Sequence, residues 1–441
     1  MTVQTLEKII DGKILIPCPD IEIGAIKIDT RNLNANDAYI AINGTNLDGH
    51  NFIQDAIEKG ASVIVASQYV DIKTSTPIIY VDDTLQSLGK LATYFRKTYP
   101  AYVIAITGSV GKTTTRELLY TILSSNYSVL KSDKNHNNHI GVPLTLFNLN
   151  NDYNVVLLEM GMNHTGEIEY LSKMVQPDLG IITNIGTSHI GNLGSKKKIL
   201  EAKMEITKGM KDGILVVNGD DAYLKKIKST KDYRVIKCGS KRPYLLTPYD
   251  IHEELGQLSF KVRYQNQEYE VTVPVTGKHF LSNIIIAMEV GLLLHIDIQT
   301  IIESLKHFEP YTQRMNVVQT DEFTVIDDCY NASFESFQSI CQFLRKREEE
   351  KIIIVGDILE LGKFSKKIHK KLKKALSKIS NASILSIGEA TKIFQGKNMI
   401  HFENIQALIA YLARIDKKQK LIVLKGSRGM HLEKVKEYLL N

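Results

Sequence analysis

Closely spaced cysteines are missing from this chain of 441 residues: Cys18, Cys238, Cys329 and Cys341 lie far apart. That pattern excludes a zinc-chelating cluster or a redox pair of the usual spacing and leaves four free thiols. A long apolar run is missing too. The longest apolar helix candidate, residues 284–296, is interrupted by Glu289 and is too short to span a bilayer, so no membrane insertion is expected. Residues 1–17 carry Glu7 and Asp11 without an apolar core, which excludes a secretory signal and gives a cytoplasmic expectation. Nor is there a strong excess of one charge: the formal net charge is +6, and the lysines read as dispersed. Such a balance suits a phosphorylated small molecule as well as a nucleic acid.

What is present is ordinary for a globular protein, with 43% hydrophobic and 24% charged residues. This length predicts about three domains. The chemistry begins at residues 101–115, where an apolar run, Ala101-Tyr102-Val103-Ile104-Ala105-Ile106, passes into Thr107-Gly108-Ser109-Val110-Gly111-Lys112-Thr113-Thr114-Thr115. Glycines turn backbone N–H groups inward, the following helix adds positive potential at its start, and Lys112 adds a full charge. Thr113 is placed to ligate a magnesium ion that bridges phosphates. Ile106 stands where the strict phosphate-loop motif has its first glycine, and Gly108 takes the flexible role. The Gly-Lys-Thr ending directly after a buried-type strand favours triphosphate binding over a plain turn. No Asn-Lys-x-Asp guanine motif follows, which argues against a GTPase.

Upstream, runs at 38–42 and 62–66 read as strands and 52–59 and 85–97 as helices, with a domain boundary at Pro100. Two polar loops, Asp29-Thr30-Arg31 and the stretch 43–50 ending in Asp48-Gly49-His50, have the composition of ordinary turns. Downstream, the apolar run 154–161 ends in Glu159-Met160-Gly161, which puts a carboxylate at the carboxyl edge of a buried strand, where open α/β sheets bind ligands. Thr165 is expected to cap a helix running to residue 175. The strand 179–185 leads into Gly186-Thr187-Ser188-His189, and His189 is a site candidate because of that position.

A helix is expected over 196–210 with Lys203 on its apolar stripe. Either its stem snorkels over apolar surface, or burial leaves a neutral, nucleophilic amine. Residues 244–275 read as strands without helix, and 280–296 as a long helix with Asn283 near its start. After Thr312-Gln313-Arg314, strands at 323–326, 351–355, 383–387 and 421–424 alternate with helical segments, predicting a doubly wound sheet. The fold class is therefore α/β: an N-terminal α/β domain (1–99), a central P-loop domain with a mostly parallel sheet (100–311) and a C-terminal Rossmann-like domain (312–441).

Several stretches together resemble one family, the Mur ligases, essentially end to end. They are the phosphate loop, Asn137-Asn138-His139-Ile140-Gly141-Val142-Pro143, Glu159-Met160-Gly161-Met162, Asn184-Ile185-Gly186-Thr187-Ser188-His189 and Glu201-Ala202-Lys203, and then Gln313-Arg314-Met315, Asp327-Asp328-Cys329-Tyr330-Asn331-Ala332, the run from Gly356 to Gly362 and Lys425-Gly426-Ser427-Arg428. The resemblance implies an ATP- and Mg2+-dependent amide ligase of peptidoglycan precursor synthesis, most like the branch that adds D-alanyl-D-alanine to a UDP-N-acetylmuramoyl tripeptide. It would work through an acyl phosphate, as a monomer with small-molecule substrates and no nucleic acid. It implies that Gly108 to Thr114, Asn283, Arg314 and Asp328 bind ATP. Thr113, Glu159 and His189 would hold magnesium, helped by a carbamate on Lys203 made from CO2, with Lys112, Lys203 and His189 acting in catalysis. Thr30, Arg31, Asp48, Gly49 and His50 would hold the uridine nucleotide. Asn138, Asn331, Leu359, Glu360, Ser427 and Arg428 would meet the peptide and dipeptide.

One departure stands out: after Tyr330-Asn331-Ala332 the family continues with Asn-Pro, whereas this chain has Ser333-Phe334-Glu335-Ser336-Phe337. That leaves D-alanyl-D-serine, D-alanyl-D-lactate or a glutamate-adding reaction as alternatives, and a non-catalytic nucleotide-gated scaffold as a reading of another class.

Overall fold

Four sheets organise the chain, seen in a computed structural model that describes residues 1–15, 18–44, 47–133, 135–241, 244–310 and 313–441. The expected boundary at residues 311 and 312, positions 45 and 46 of the second polar loop and positions 16 and 17 of the N-terminal stretch lie outside the described residues.

The first sheet has five strands in the order Lys13–Ile14, Ile78–Tyr80, Val63–Ala66, Ala38–Ile40, Ile26–Lys27, parallel except at the first pairing. Strand alternation splits its core. Val63 and Val65 pack on one face with Leu88 and Leu91, and Ile64 and Ala66 on the other with Ile53 and Ala56. The helix Thr84–Thr98 leads out of this sheet, and the Asp83 carboxylate accepts hydrogen bonds from the N–H groups of Leu85 and Gln86 at its start. Its Arg96 Nε donates to the Val175 carbonyl (2.8 Å), pinning the first sheet's last helix to the central region.

The central sheet holds six parallel strands in the order Tyr233–Cys238, Gly213–Asn218, Leu179–Ile182, Tyr102–Thr107, Val155–Glu159, Val129–Lys131. Its inner strands are unbroken apolar runs because helices cover both faces. An antiparallel three-stranded sheet, Tyr249–Glu254, Gln257–Tyr264 and Gln267–Val273, follows it, as the helix-free composition of that stretch predicts. The last sheet has six strands in the order Asn316–Gln319, Thr324–Asp328, Leu421–Lys425, Lys351–Gly356, Ala382–Ile387, Met399–Phe402, antiparallel only at its first pair. One apolar cluster runs from Leu157 and Ile182 of the central sheet to Phe337 and Val423 of the last. Central and C-terminal regions therefore share a packed face.

Two local expectations are corrected. Thr165 does not cap the helix Glu167–Val175. Gly166 stands at the cap with no side-chain bond, and the Glu205 carboxylate accepts from the N–H groups of Gly166 and Glu169 instead. A carboxylate from another element thus does the work of the cap and adds its charge to the dipole. The helix expected over 196–210 is α only over Lys196–Met204 and continues as a 3-10 helix, Glu205–Gly209. That turn tightens because Glu205 is drawn to the neighbouring helix and Ser172 bonds both the Ile206 carbonyl and the Gly209 N–H. The edge strands Val129–Lys131, Tyr233–Cys238, Asn316–Gln319 and Met399–Phe402 escape a search for apolar runs because they are short, polar or half-exposed.

Candidate active site

The strand Tyr102–Thr107 has Val155–Glu159 on one side and Leu179–Ile182 on the other. Because all three are parallel, the phosphate loop, Glu159 and the loop to His189 emerge at one edge, which open α/β sheets use for ligands. Ile106, in the place of the motif's first glycine, is fully buried in the strand. Gly108 has φ +155, and a Cβ there would lie 1.8 Å from Thr183 Oγ1. Gly111 has φ +87 and opens the helix Lys112–Leu123. The loop is tied to its neighbour by Asn184, whose Oδ1 accepts from the Val110 N–H (3.0 Å), and by Ser109 Oγ, which accepts from the Gly186 N–H (2.8 Å). This is a preorganised cradle of backbone donors at a helix N-terminus.

Lys112 Nζ donates to the Gly108 carbonyl at 2.9 Å, so its ammonium lies over the loop. Burial pushes its pKa down and nearby Arg314 adds to this, while Glu159 and Glu360 oppose it. Glu159 is 1% exposed, with Oε1 2.9 Å from Arg116 Nη1 yet accepting no hydrogen bond. Arg116, itself 1% exposed, bonds Glu117 as well, and Glu117 pairs with Lys131. Sequence reading missed this relay, although Arg116 sits one turn after Lys112 on the loop's own helix. Thr113 Oγ1 accepts from Arg314 Nη2 at 3.0 Å. His189 has φ +59, and its Nδ1 lies 2.7 Å from Glu360 Oε2, a contact that holds the Glu360 pKa low.

Lys203 is 2% exposed, so it does not snorkel. No ion pair or hydrogen bond reaches its amine among the described residues, and burial with the nearby Lys112 charge drives its pKa well below the usual value.

Two cavities meet at this loop. One, of about 680 Å3, is lined by Ser109, Lys112, Thr113, Asn138, Glu159, His189, Arg314, Asn331, Leu359, Glu360, Ser427 and Arg428. The other, of about 480 Å3, is lined by Ser109 to Lys112, Thr114, Asn283, Arg314 and Asp328, with His279 and Lys425. Asn283 donates to Thr115 Oγ1 (2.9 Å) and the Gly111 carbonyl (3.4 Å), which leaves its carbonyl oxygen for a ligand. Asp328 pairs with buried Lys425, yet burial still raises its pKa. Tyr330 lies between two guanidinium groups, Arg314 at 4.5 Å and Arg428 at 5.5 Å from its ring. Burial lowers the His279 pKa to about 4, with Lys425 adding to it, so the ring is neutral near pH 7.

Neither cavity is lined by Thr30, Arg31, Asp48, Gly49 or His50. These cluster in the first region, after the neighbouring parallel strands Ile26–Lys27 and Ala38–Ile40. Arg31 is held by Asp29 at 2.6 Å, with its side chain 86% exposed. His50 is anchored at both nitrogens: Nδ1 lies 2.6 Å from Asp48 Oδ1, and Nε2 accepts from the Ser67 N–H (3.0 Å).

The departure after Ala332 has a structural meaning. Ser333 and Ser336 form a reciprocal cap at the start of the helix Phe334–Leu344. Glu335 reaches across to the Thr187 N–H (3.0 Å), the Thr187 hydroxyl (2.7 Å) and Lys196 Nζ (3.0 Å). The segment thus fastens the C-terminal region to the His189 loop.

The donors offered to a metal are a hydroxyl, a carboxylate without a hydrogen-bond donor and an imidazole. Among the described residues no group of three or more His, Cys, Asp or Glu is placed to hold an ion. That set fits magnesium, which keeps several waters and takes one or two carboxylates beside phosphate oxygens.

A P-loop nucleotide site whose far wall is built by a second doubly wound region defines a multidomain ATP-dependent ligase. The chain belongs to the Mur ligase family: models of the Mur ligase family catalytic domain, the Mur ligase middle domain and the Mur ligase glutamate ligase domain match residues 22–96, 106–291 and 313–428. It is 32% identical to the UDP-N-acetylmuramoyl-tripeptide–D-alanyl-D-alanine ligase of Bacillus subtilis (strain 168), covering 100% of this chain and 98% of that protein. It is 29% identical to the protein of the same name from Escherichia coli (strain K12), covering 99% and 97%. Its fold matches a crystal structure of MurF from Acinetobacter baumannii with a TM-score of 0.91 at 29% identity, over 100% and 98% of the two chains. It matches MurF ligase from Thermotoga maritima in complex with ADP with a TM-score of 0.85 at 27% identity, over 94% and 96%.

Proposed function

We propose that this chain joins D-alanyl-D-alanine to UDP-N-acetylmuramoyl tripeptide at the expense of ATP. The observation that carries the reading is the wall common to the two cavities, formed by Ser109, Lys112, Ser188, Arg314 and the run Tyr330-Asn331-Ala332-Ser333. A terminal phosphoryl group bound by the loop in one cavity is thereby within reach of a carboxylate in the other. The tripeptide carboxylate oxygen attacks the γ-phosphorus and ADP leaves. The dipeptide amine then attacks the acyl carbon, phosphate leaves with the C–O electron pair, and the amine loses a proton. Lys112 and Arg314 hold the charge that accumulates on the transferring group, where fixed cations in a site closed to water act most strongly. Thr113 and Glu159 would hold magnesium, with His189 at a second position, and the ion would supply further charge neutralisation.

Thr30, Arg31 and the Asp48–His50 turn receive the uridine nucleotide, with the exposed Arg31 guanidinium available to a phosphate. Asn138, Asn331, Leu359, Glu360, Ser427 and Arg428 line the peptide cavity and orient the two peptide substrates. The division into 1–99, 100–311 and 312–441 assigns the uridine nucleotide, ATP and amine to successive domains. The protein acts as a monomer in the cytoplasm; among the described residues no helix is long and apolar enough to cross a membrane.

Pure protein with ATP, magnesium and UDP-muramoyl tripeptide releases phosphate on adding D-alanyl-D-alanine and not glutamate. No release with either lysine- or diaminopimelate-containing tripeptide sinks the reading, and turnover with glutamate alone moves the chain to another branch.

Lys203 carries a carbamate in the active enzyme. Burial and the nearby Lys112 charge both disfavour the ammonium form of its amine, so the amine lone pair adds to the carbon of CO2, one proton is lost, and the anion formed faces the Lys112 charge. Lys203→Ala loses activity and regains part of it with short carboxylic acids; full activity without them rules the carbamate out.

A further inference from the structure

We propose that the helix Ser365–Leu376 is a docking surface for an anionic lipid bilayer. This helix carries six lysines, Lys366, Lys367, Lys370, Lys371, Lys373 and Lys374, and no acid. The chain has 55 Lys and Arg against 49 Asp and Glu, so setting these six aside leaves 49 of each. The helix alone thus carries a formal charge of +6, a dense local patch among lysines that are otherwise spread along the chain. Ile368, His369, Leu372 and Leu376 face the domain, whereas five of the six lysines are exposed, and exposed Lys363 and Lys378 extend the patch at its ends. No ion pair reaches any of them among the described residues. The helix is rigidly seated: His369 Nε2 accepts from the Ile358 N–H (3.1 Å), and Arg345 donates to the Ala375 carbonyl (2.8 Å).

A charge run is usually just a solvated face, but this one opposes its own helix. Lys366, Lys370 and Lys374 repel along one row and Lys367 and Lys371 along the next, at the i,i+4 spacing where like charges destabilise. Lys366 and Lys367 also lie in the first turn, where the dipole disfavours cations and where no acid offsets them. An external negative field reverses the sign of both effects. A bilayer fits better than a nucleic acid, since the helix offers no arginine fork and no aromatic side chain for stacking between its lysines. Its apolar face is already buried, so the contact is electrostatic, without insertion. It would hold the Leu359–Glu360 wall of the peptide cavity, immediately upstream, near the membrane surface.

The test is co-sedimentation of the full chain with vesicles of phosphatidylethanolamine and phosphatidylglycerol, against vesicles of phosphatidylcholine alone. Binding is expected only to the anionic vesicles, and is lost in about 1 M salt, where screening acts within ~3 Å. The combined change Lys366→Gln, Lys367→Gln, Lys370→Gln and Lys371→Gln keeps helix propensity and should weaken binding about five-fold per lysine. The corresponding Lys→Arg set retains binding. Lys225→Gln, Lys226→Gln, Lys228→Gln and Lys231→Gln together remove the same charge from the central region and leave binding intact; circular dichroism verifies each fold. Absence of binding to the anionic vesicles, equal loss in both glutamine sets, or displacement of the protein by an equal charge of single-stranded DNA overturns the proposal.

Discussion

The central and C-terminal sheets have similar architecture, each with six strands, mostly parallel, and with loops at the carboxyl edge, yet they treat buried charge in opposite ways. At the C-terminal sheet each acid near the strand ends is answered. Asp328 pairs with Lys425, Asp327 with Lys436 at 2.8 Å, and Asp357 accepts from the N–H groups of Ala390 and Thr391. At the central sheet Glu159 is paired with Arg116, but among the described residues no ion pair or hydrogen bond reaches the Lys203 amine, and the Lys112 amine donates only to a carbonyl. Charge balanced inside the protein builds a wall. Cationic charge left unbalanced awaits an anion from outside, and that is where the reaction belongs.

The largest effect is expected where the imbalance is deepest. Lys112→Ala should lower kcat about 10^3-fold, as removal of a transition-state cation does, with the thermal midpoint unchanged. A small loss of kcat would place the phosphoryl group elsewhere. On the balanced side, Lys425→Met leaves Asp328 buried without its cation, and should cost about 3–5 kcal/mol in urea unfolding. An unchanged midpoint would show that the pair is dispensable.

Glu289 sharpens the comparison with a third solution, since no cation faces it among the described residues. Burial raises its pKa from 4.5 to about 7, against hydrogen bonds from Cys238 and the Leu246 N–H. The folded state therefore binds the proton more tightly than the unfolded state, and stability falls as pH rises from 4.5 to 7. Between pH 4 and pH 8 the parent should lose about 3 kcal/mol relative to Glu289→Gln. Parallel stability curves for the two proteins would contradict this. The smallest effect concerns the Arg116 relay. As a positioning residue for Glu159, Arg116 changed to Met should raise the magnesium concentration for half-maximal rate roughly ten-fold, with KM for the dipeptide unmoved. Arg116→Lys should recover part of it. A loss of stability with unchanged magnesium dependence would make Arg116 purely structural.

Much of the fold is legible in residue order because buried parallel strands are written as unbroken apolar runs, as at Val103–Ile106 and Ile352–Val355. Edge strands such as Met399–Phe402 are not, since half their surface is polar. The phosphate loop is legible because its chemistry is contiguous: glycine, lysine and threonine must follow one another to work. Glu335 is not legible as a bridging residue, because its partners lie 139 to 148 residues away in the chain. Only the packing of two domains shows that it bonds Thr187 and Lys196.

By itself the sequence determined the α/β class, the glycine-lysine-threonine loop between strand and helix, and the family, because each rests on local periodicity or contiguous motifs. Tertiary structure alone decided that Lys203 is sealed rather than snorkelling, that Arg116 holds Glu159 and that Glu205 rather than Thr165 caps its neighbour. Those outcomes depend on burial and on distances between segments remote in the chain. Desolvation and Coulomb energies are set by such distances, and residue order does not fix them.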